Sequence, residues 1–188
     1  MFKELNSKRL KFIPLDKNGL DDMYEYSKKP EMYKYLEFGP HETKKETEAY
    51  LQKLLDRCKS KNNYYWFICL RDTKKIIGTF GIINIDWRKL DAEFGYGISP
   101  DYWNKGYFKE ALRCMLDYLF IEKKFHRVFV KTQADNYPSI HGLKNVGFKE
   151  EGTMREYYST FAGNLGVKQR YEKSMKNHSK KECAVTQQ

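Results

Sequence analysis

The segment from Ser99 to Ala111, Ser-Pro-Asp-Tyr-Trp-Asn-Lys-Gly-Tyr-Phe-Lys-Glu-Ala, joins a strand-like run to a helix-like one, and it limits the folds open to this chain more than any other stretch. Ala92 to Ile98 is aromatic-rich and reads as a strand. Glu110 to Phe120 sets Ala111, Leu112, Met115, Leu116, Leu119 and Phe120 at the spacing of one helix face. Between the two runs the backbone must turn at Gly106. A helix beginning at Tyr107 or Phe108 points unpaired N–H groups and the positive end of its dipole back at the loop, which makes an anion site. Lys105 and Lys109 add charge there. A lone glycine before a helix also suits an ordinary strand-to-helix turn, so the loop alone does not decide.

Around this joint the hydrophobic pattern reads as a strand, two helices, three strands, the loop helix, a strand, a helix and a final strand pair. Arg9 to Pro14 alternates like an edge strand. Leu20 to Ser27 and Glu42 to Lys59 carry helical spacing, the second with Leu51, Leu54 and Leu55 on one face. Tyr64 to Leu70 reads as a buried strand, Ile76 to Ile85 as the next, and Asp86-Trp-Arg-Lys-Leu bridges to Ala92. His126 to Thr132 completes a strand-helix-strand crossover that sets its two strands near each other. No repeat or domain boundary is visible: residues 1–175 read as one domain and 176–188 as a polar, flexible tail.

The 188 residues suffice for one sizeable core, and 40% hydrophobic with 16% aromatic content argues against disorder. No run approaches the roughly 18 apolar residues of a membrane helix, and the first residues lack a signal-peptide core, which predicts a cytoplasmic protein. Cys58, Cys69, Cys114 and Cys183 form no Cys-x-x-Cys pair or His cluster, so neither zinc nor a disulfide framework is signalled and no metal is expected. The net charge of +10 is spread over pairs such as Lys28-Lys29, Lys44-Lys45, Lys74-Lys75 and Lys123-Lys124. That spread argues against a nucleic-acid site, while the positive field as a whole would favour a cofactor that carries several phosphate charges.

Downstream of the loop stand Asn136-Tyr-Pro-Ser139, His141-Gly-Leu-Lys-Asn-Val-Gly147-Phe148 and Glu150-Glu-Gly152, and upstream Ser7-Lys-Arg-Leu and Pro30-Glu-Met-Tyr-Lys-Tyr-Leu36. Together with the loop these resemble the GNAT superfamily of acetyl-CoA-dependent N-acetyltransferases, in the branch of the ribosomal-protein N-terminal acetyltransferases (RimJ/RimL-like). The resemblance implies a mixed α/β domain of α+β type, with a mostly antiparallel sheet of about six to seven strands flanked by helices. It also implies a splayed strand pair at the CoA site, with a bulge in the strand matching Phe94 to Ile98, where Gly95 and Gly97 suit a bent backbone that meets a ligand. Acetyl-CoA would be held by Tyr96, Gly97 and Ile98, by Trp103, Asn104, Lys105, Gly106, Tyr107, Phe108 and Lys109, and by Asn136 on the pantetheine arm. Asn136 is otherwise a turn-former before Tyr-Pro. The superfamily places a small residue where Phe108 stands, so its ring must swing away or the cofactor must sit differently.

Acetyl transfer to an amine needs the amine uncharged, and such amines are largely protonated at neutral pH, so a base is required. Glu93 is the candidate: it lies on a strand with apolar and aromatic neighbours, where burial would raise its pKa, and relatives carry a glutamate at the matching place. The competing reading puts Glu93 on the solvent face of its strand. Many members protonate the departing thiolate with a tyrosine, but that position here is Leu143. In the branch resembled a serine takes the role, and Ser139 matches it; otherwise Ser139 reads as a helix N-cap.

The resemblance places the amine acceptor against Tyr35 to Thr43 and Tyr157 to Gly166. Phe38-Gly-Pro-His41 and Tyr157-Tyr-Ser-Thr-Phe161 suit a peptide N-terminus, an amino sugar or a nucleotide-linked sugar better than a polyamine, because few acidic residues accompany them. The expected state is a monomer or homodimer. A non-catalytic acyl-CoA-binding module and a basic nucleic-acid binder are the readings from other classes.

Overall fold

The computed structural model describes residues 3–159 and 165–175, apart from the side chains of 156–159 and 165–166. Its strands are β1 (Leu5–Asn6), β2 (Leu10–Pro14), β3 (Tyr64–Leu70), β4 (Ile76–Asp86), β5 (Asp91–Ile98), β6 (Arg127–Gln133), β7 (Lys149–Ser159) and β8 (Leu165–Ser174). They form one sheet in the order β1-β2-β3-β4-β5-β6-β8-β7, and every neighbouring pair is antiparallel except β5 with β6. The α-helices are α1 (Leu20–Ser27), α2 (Lys44–Arg57), α3 (Tyr107–Asp117) and α4 (Tyr137–Asn145).

The run Tyr-Tyr-Trp-Phe-Ile-Cys-Leu in β3 shows how the layers arise. Successive side chains of a strand point to opposite faces. Trp66, Ile68 and Leu70 pack into a core with Ala111, Leu112, Met115 and Leu116 of α3 and Leu143 of α4. Tyr65, Phe67 and Cys69 pack on the other face with Met23 and Tyr26 of α1 and Leu51 and Leu54 of α2. Helices therefore cover both faces, and a strand buried on both sides is apolar throughout. Each large side chain so buried contributes about 1.5–3 kcal/mol.

The architecture is the mixed, mostly antiparallel one expected, with an eighth strand. The extra one, β1, pairs Leu5 with Phe12 and Asn6 with Lys11. Two residues are too few to carry a period, which hides it in the sequence. Its pairing also corrects the edge-strand reading of Arg9 to Pro14, since β2 lies between β1 and β3. Cys58, Cys69 and Cys114 are free thiols, while Cys183 and the proposed tail lie outside the described residues.

The turn between β1 and β2 is tied to the first turn of α3. The Glu110 carboxylate accepts hydrogen bonds from the Ser7 hydroxyl at 2.7 Å, and from the Arg9 backbone N–H and Arg9 Nε at 2.6 Å each. The same guanidinium donates to the Lys105 carbonyl at 3.0 Å and lies 4.2 Å over the Tyr107 ring. Burial pushes the Glu110 pKa up, but the donors from Arg9 and Ser7 outweigh it and hold the group below its ordinary value of 4.5. A carboxyl with a depressed folded pKa stabilises the fold above its unfolded pKa, and that contribution is lost as pH falls through the folded value.

Glu110→Gln should therefore lower stability at neutral pH by about 1.5–3 kcal/mol, the worth of hydrogen bonds to a charged group. In urea unfolding the gap between parent and variant should close as the pH drops below 4.5. A gap that persists unchanged at about pH 3 would remove the carboxylate from this role.

Candidate active site

β5 and β6 run parallel through three rows only, Asp91 with Arg127, Ala92 with Val128 and Glu93 with Phe129. Beyond these rows β5 continues to Ile98 against β4, and β6 continues to Gln133 against β8. From Phe94 onward the two strands separate, as expected of a splayed pair. A cleft of about 490 Å³ opens there, with Gly95, Tyr96 and Gly97 on one wall and Val130, Thr132 and Gln133 on the other. Strand edges left without a partner present N–H and C=O groups to whatever enters.

The bulge lies on the neighbouring strand. Ile82 pairs with Phe94 and Asn84 with Glu93, so the extra residue is Ile83 of β4 and not a residue of β5. The glycines of β5 answer to packing: a Cβ on Gly95 would come within 2.8 Å of Ile83 Cδ1, and one on Gly97 within 2.5 Å of Met32 Cε. They make room for side chains rather than for a bulge of their own.

At the far end of β5 the chain passes through Pro100–Tyr102, a single 3₁₀ turn, to the loop. Trp103 is 44% exposed, yet its indole N–H donates to the Ile98 carbonyl at 2.7 Å and pins the loop to its strand. Asn104 and Gly106 sit in the left-handed region at φ 59° and 78°, and α3 starts at Tyr107 with no side chain capping it. Gly106 occupies the N-cap position in a conformation that only glycine adopts without strain. Lys105 Nζ folds back onto the Asp101 carbonyl at 2.7 Å, while Lys109 is exposed.

Phe108 turns its ring inward, the first of the two arrangements expected for it. The ring lies 4.5 Å from that of Tyr96, centroid to centroid, and against Gly142 of α4, where a Cβ would stand 2.2 Å from Phe108 Cε1.

Glu93 and Ser139 both line the cleft. Glu93 was expected among apolar and aromatic neighbours; instead Lys131 of β6 ion-pairs with it at 3.2 Å, and its side chain is 17% exposed. A strand's own sequence does not reveal which residue of a parallel neighbour will face it. Ser139 Oγ lies 2.6 Å from the Tyr96 hydroxyl. Burial holds the Tyr96 phenol well above its ordinary pKa, so it keeps its proton at working pH and can donate to Ser139.

The N-cap expected of Ser139 belongs to Asn136, whose Oδ1 accepts from the Ser139 N–H at 3.2 Å. A proline within the first turn after an asparagine was the available signal. Asn136 also lines the cleft.

On the α1–α2 side, Tyr35, Leu36, Glu37 and Phe38 of the predicted acceptor segment line the same cleft. Tyr33, Phe38, His41 and Tyr50 close a ring of contacts at centroid separations of 5.5 to 6.0 Å. Burial raises the Tyr50 phenol to about 12 and lowers the His41 imidazole. The second acceptor segment, Tyr157 to Gly166, falls on residues whose side chains lie outside the described set. Among the described residues no helix is long and apolar enough to cross a membrane.

An acetyltransferase (GNAT) domain family matches residues 9–149, and the chain belongs to that family of acetyltransferases. An N-acetyltransferase of uncharacterised role from Bacillus licheniformis, p20, is 29% identical over 153 residues, 81% of this chain and 86% of that one. Among solved structures, the ribosomal-protein-S5-alanine acetyltransferase of Vibrio fischeri superposes with a TM-score of 0.78 at 19% identity, covering 94% of this chain and 98% of that one. The spermidine N-acetyltransferase of Vibrio cholerae, solved with CoA and spermine, superposes with a TM-score of 0.76 at 21% identity, covering 90% and 97%. At these identities the structural likeness speaks to the fold. GNAT acetyltransferases use acetyl-CoA. The residues here fit such a donor: an uncapped helix start behind a left-handed turn offers N–H groups for a pyrophosphate, and the open edge of β5 extends from it.

Phe108 and Gly142 generate a prediction with a sign. In an ordinary helix Gly→Ala gains about 1 kcal/mol, but overpacking costs about 1–3 kcal/mol. Gly142→Ala should therefore destabilise the parent and stabilise a Phe108→Ala background. Thermal unfolding of the four proteins checks this, and the same sign in both backgrounds would refute the packing.

Proposed function

We propose that this chain transfers the acetyl group of acetyl-CoA directly to a primary amine in one ternary complex, with Glu93 as base and Ser139 as acid. The observation that carries the reading is the separation of β5 from β6 after Glu93, which opens one cleft containing Glu93, Ser139, Asn136 and the acceptor segment. Acetyl-CoA supplies a thioester open to attack by a neutral amine. Trp103 to Lys109 would hold the pyrophosphate on backbone N–H groups, and Tyr96, Gly97, Ile98 and Asn136 the pantetheine arm.

Glu93 takes the amine proton directly or through water. Lys131 keeps its carboxylate in place without occupying both oxygens, since the hydrogen bond reaches Oε2. A C–N bond forms as the C–S bond breaks, and Ser139 gives its proton to the sulfur while Tyr96 steadies the hydroxyl. A base and an acid lining one cleft suit this division of labour.

Acetyl-CoA should bind stoichiometrically and raise the melting temperature, because it binds only the folded loop. Gly106→Val should lose that binding with a much smaller loss of stability, since a β-branched residue opposes the left-handed turn and crowds the helix start. Calorimetric binding equal to the parent's would make the loop a mere connector.

For the chemical step, Glu93→Gln should keep acetyl-CoA affinity and lower the rate by about 10² to 10⁴, the worth of a general base. The deficit should shrink as pH rises, because alkali deprotonates the acceptor without help. A pH–rate profile for parent and variant checks this, and coincident profiles would remove Glu93 from the role.

A further inference from the structure

The charges lining the cleft are unevenly matched. Two carboxylates face it, Glu37 and Glu93, against the cations Arg57, Lys131 and Lys168. Both carboxylates are engaged: Lys168 ion-pairs with Glu37, and Lys131 with Glu93. Among the described lining residues there is no third carboxylate for a second or third ammonium group. A polycation entering this cleft would add its charges to a surplus of cations, and the chain's +10 would oppose its approach. At the acceptor end the lining is aromatic, with Phe38 at 44% exposure and Tyr50 beside it.

We propose that the acceptor is an anionic amine: a primary amine on a ring-bearing or apolar body that also carries a carboxylate or a phosphate. This rests on the acetyl-transfer reading above and deepens it. Arg57 and Lys168 receive the anion, the rings of Phe38 and Tyr50 receive the body, and Glu93 receives the amine. Lys168 lines the cleft with its ammonium on Glu37, and a lysine's three N–H donors let an incoming anion share that ammonium without displacing the carboxylate. Lys131 stays with Glu93, so the base keeps its partner while the substrate's charge is met elsewhere. Arg57 is exposed at the end of α2 and makes no ion pair among the described residues, which leaves its guanidinium for bidentate contact with either kind of anion.

Matched acceptors test this. With acetyl-CoA and full-length protein, kcat/KM is measured for L-phenylalanine against L-phenylalaninamide, for glucosamine 6-phosphate against glucosamine, and for spermidine. In at least one pair the anionic member should exceed its neutral partner by about tenfold or more at low salt. The pair that responds tells carboxylate from phosphate. Arg57→Gln and Lys168→Gln should bring the ratio down toward one while acetyl-CoA affinity, read by calorimetry, stays at the parent's value. Faster turnover of the neutral members or of spermidine would overturn the proposal, as would an unchanged ratio in both variants. Bound acetyl-CoA with no turnover of either anionic acceptor would also count against it. Absence of acetyl-CoA binding would instead bring down the acetyl-transfer reading on which it stands.

Discussion

The rest of the molecule depends on how briefly β5 and β6 stay together. Their three parallel rows fix the crossover through α3 and seat Ala92 and Val128 in the core. Parallel pairing is slightly weaker per residue than antiparallel pairing, so a short run holds only because each strand has a second partner, β4 on one side and β8 on the other. Were the pairing longer, the cleft would close. Were it absent, α4 would lose the frame that brings Ser139 to the cleft beside Tyr96.

Tyr96 is the hub of that opening. Its ring sits among Phe80, Phe94 and Phe108, and its hydroxyl reaches Ser139 on α4. Aromatic neighbours keep the ring in one place, and a buried phenol needs a partner, so packing and polarity together choose a single position for the serine. The turn joining β1 to β2 does similar work at the loop, where Glu110 and Arg9 fasten the start of α3 from outside the cleft.

Most of the sheet was legible because the longer strands carry their own pattern, alternating or continuously apolar. Tyr64 to Leu70 reads as a buried strand without knowledge of what covers it, and the turn at Gly106 is visible because few residues other than glycine adopt φ 78°. What stayed hidden depends on register between distant segments. Lys131 on Glu93, the Ile83 bulge and the Arg9 clamp on Glu110 are set by pairings that leave no mark of spacing on either partner. The cap of α4 was read at Ser139 for a different reason: two capping residues stood near one helix start, and the proline between them favoured the earlier one, Asn136. The candidate base and acid were legible as residues, but their company was not.

The contact between Phe108 and Gly142 has a consequence for how such chains drift. Each residue is tolerable only in the presence of the other: the large ring needs an α4 position without a side chain, and that bare position leaves a void unless a ring fills it. Substitutions at the two sites are then bound to travel together, and either change alone passes through a less stable protein. A lineage that acquires a small residue at position 108 would be released to place alanine in the helix. The turn at Gly106 and the helix that carries Ser139 thus share one heritable constraint.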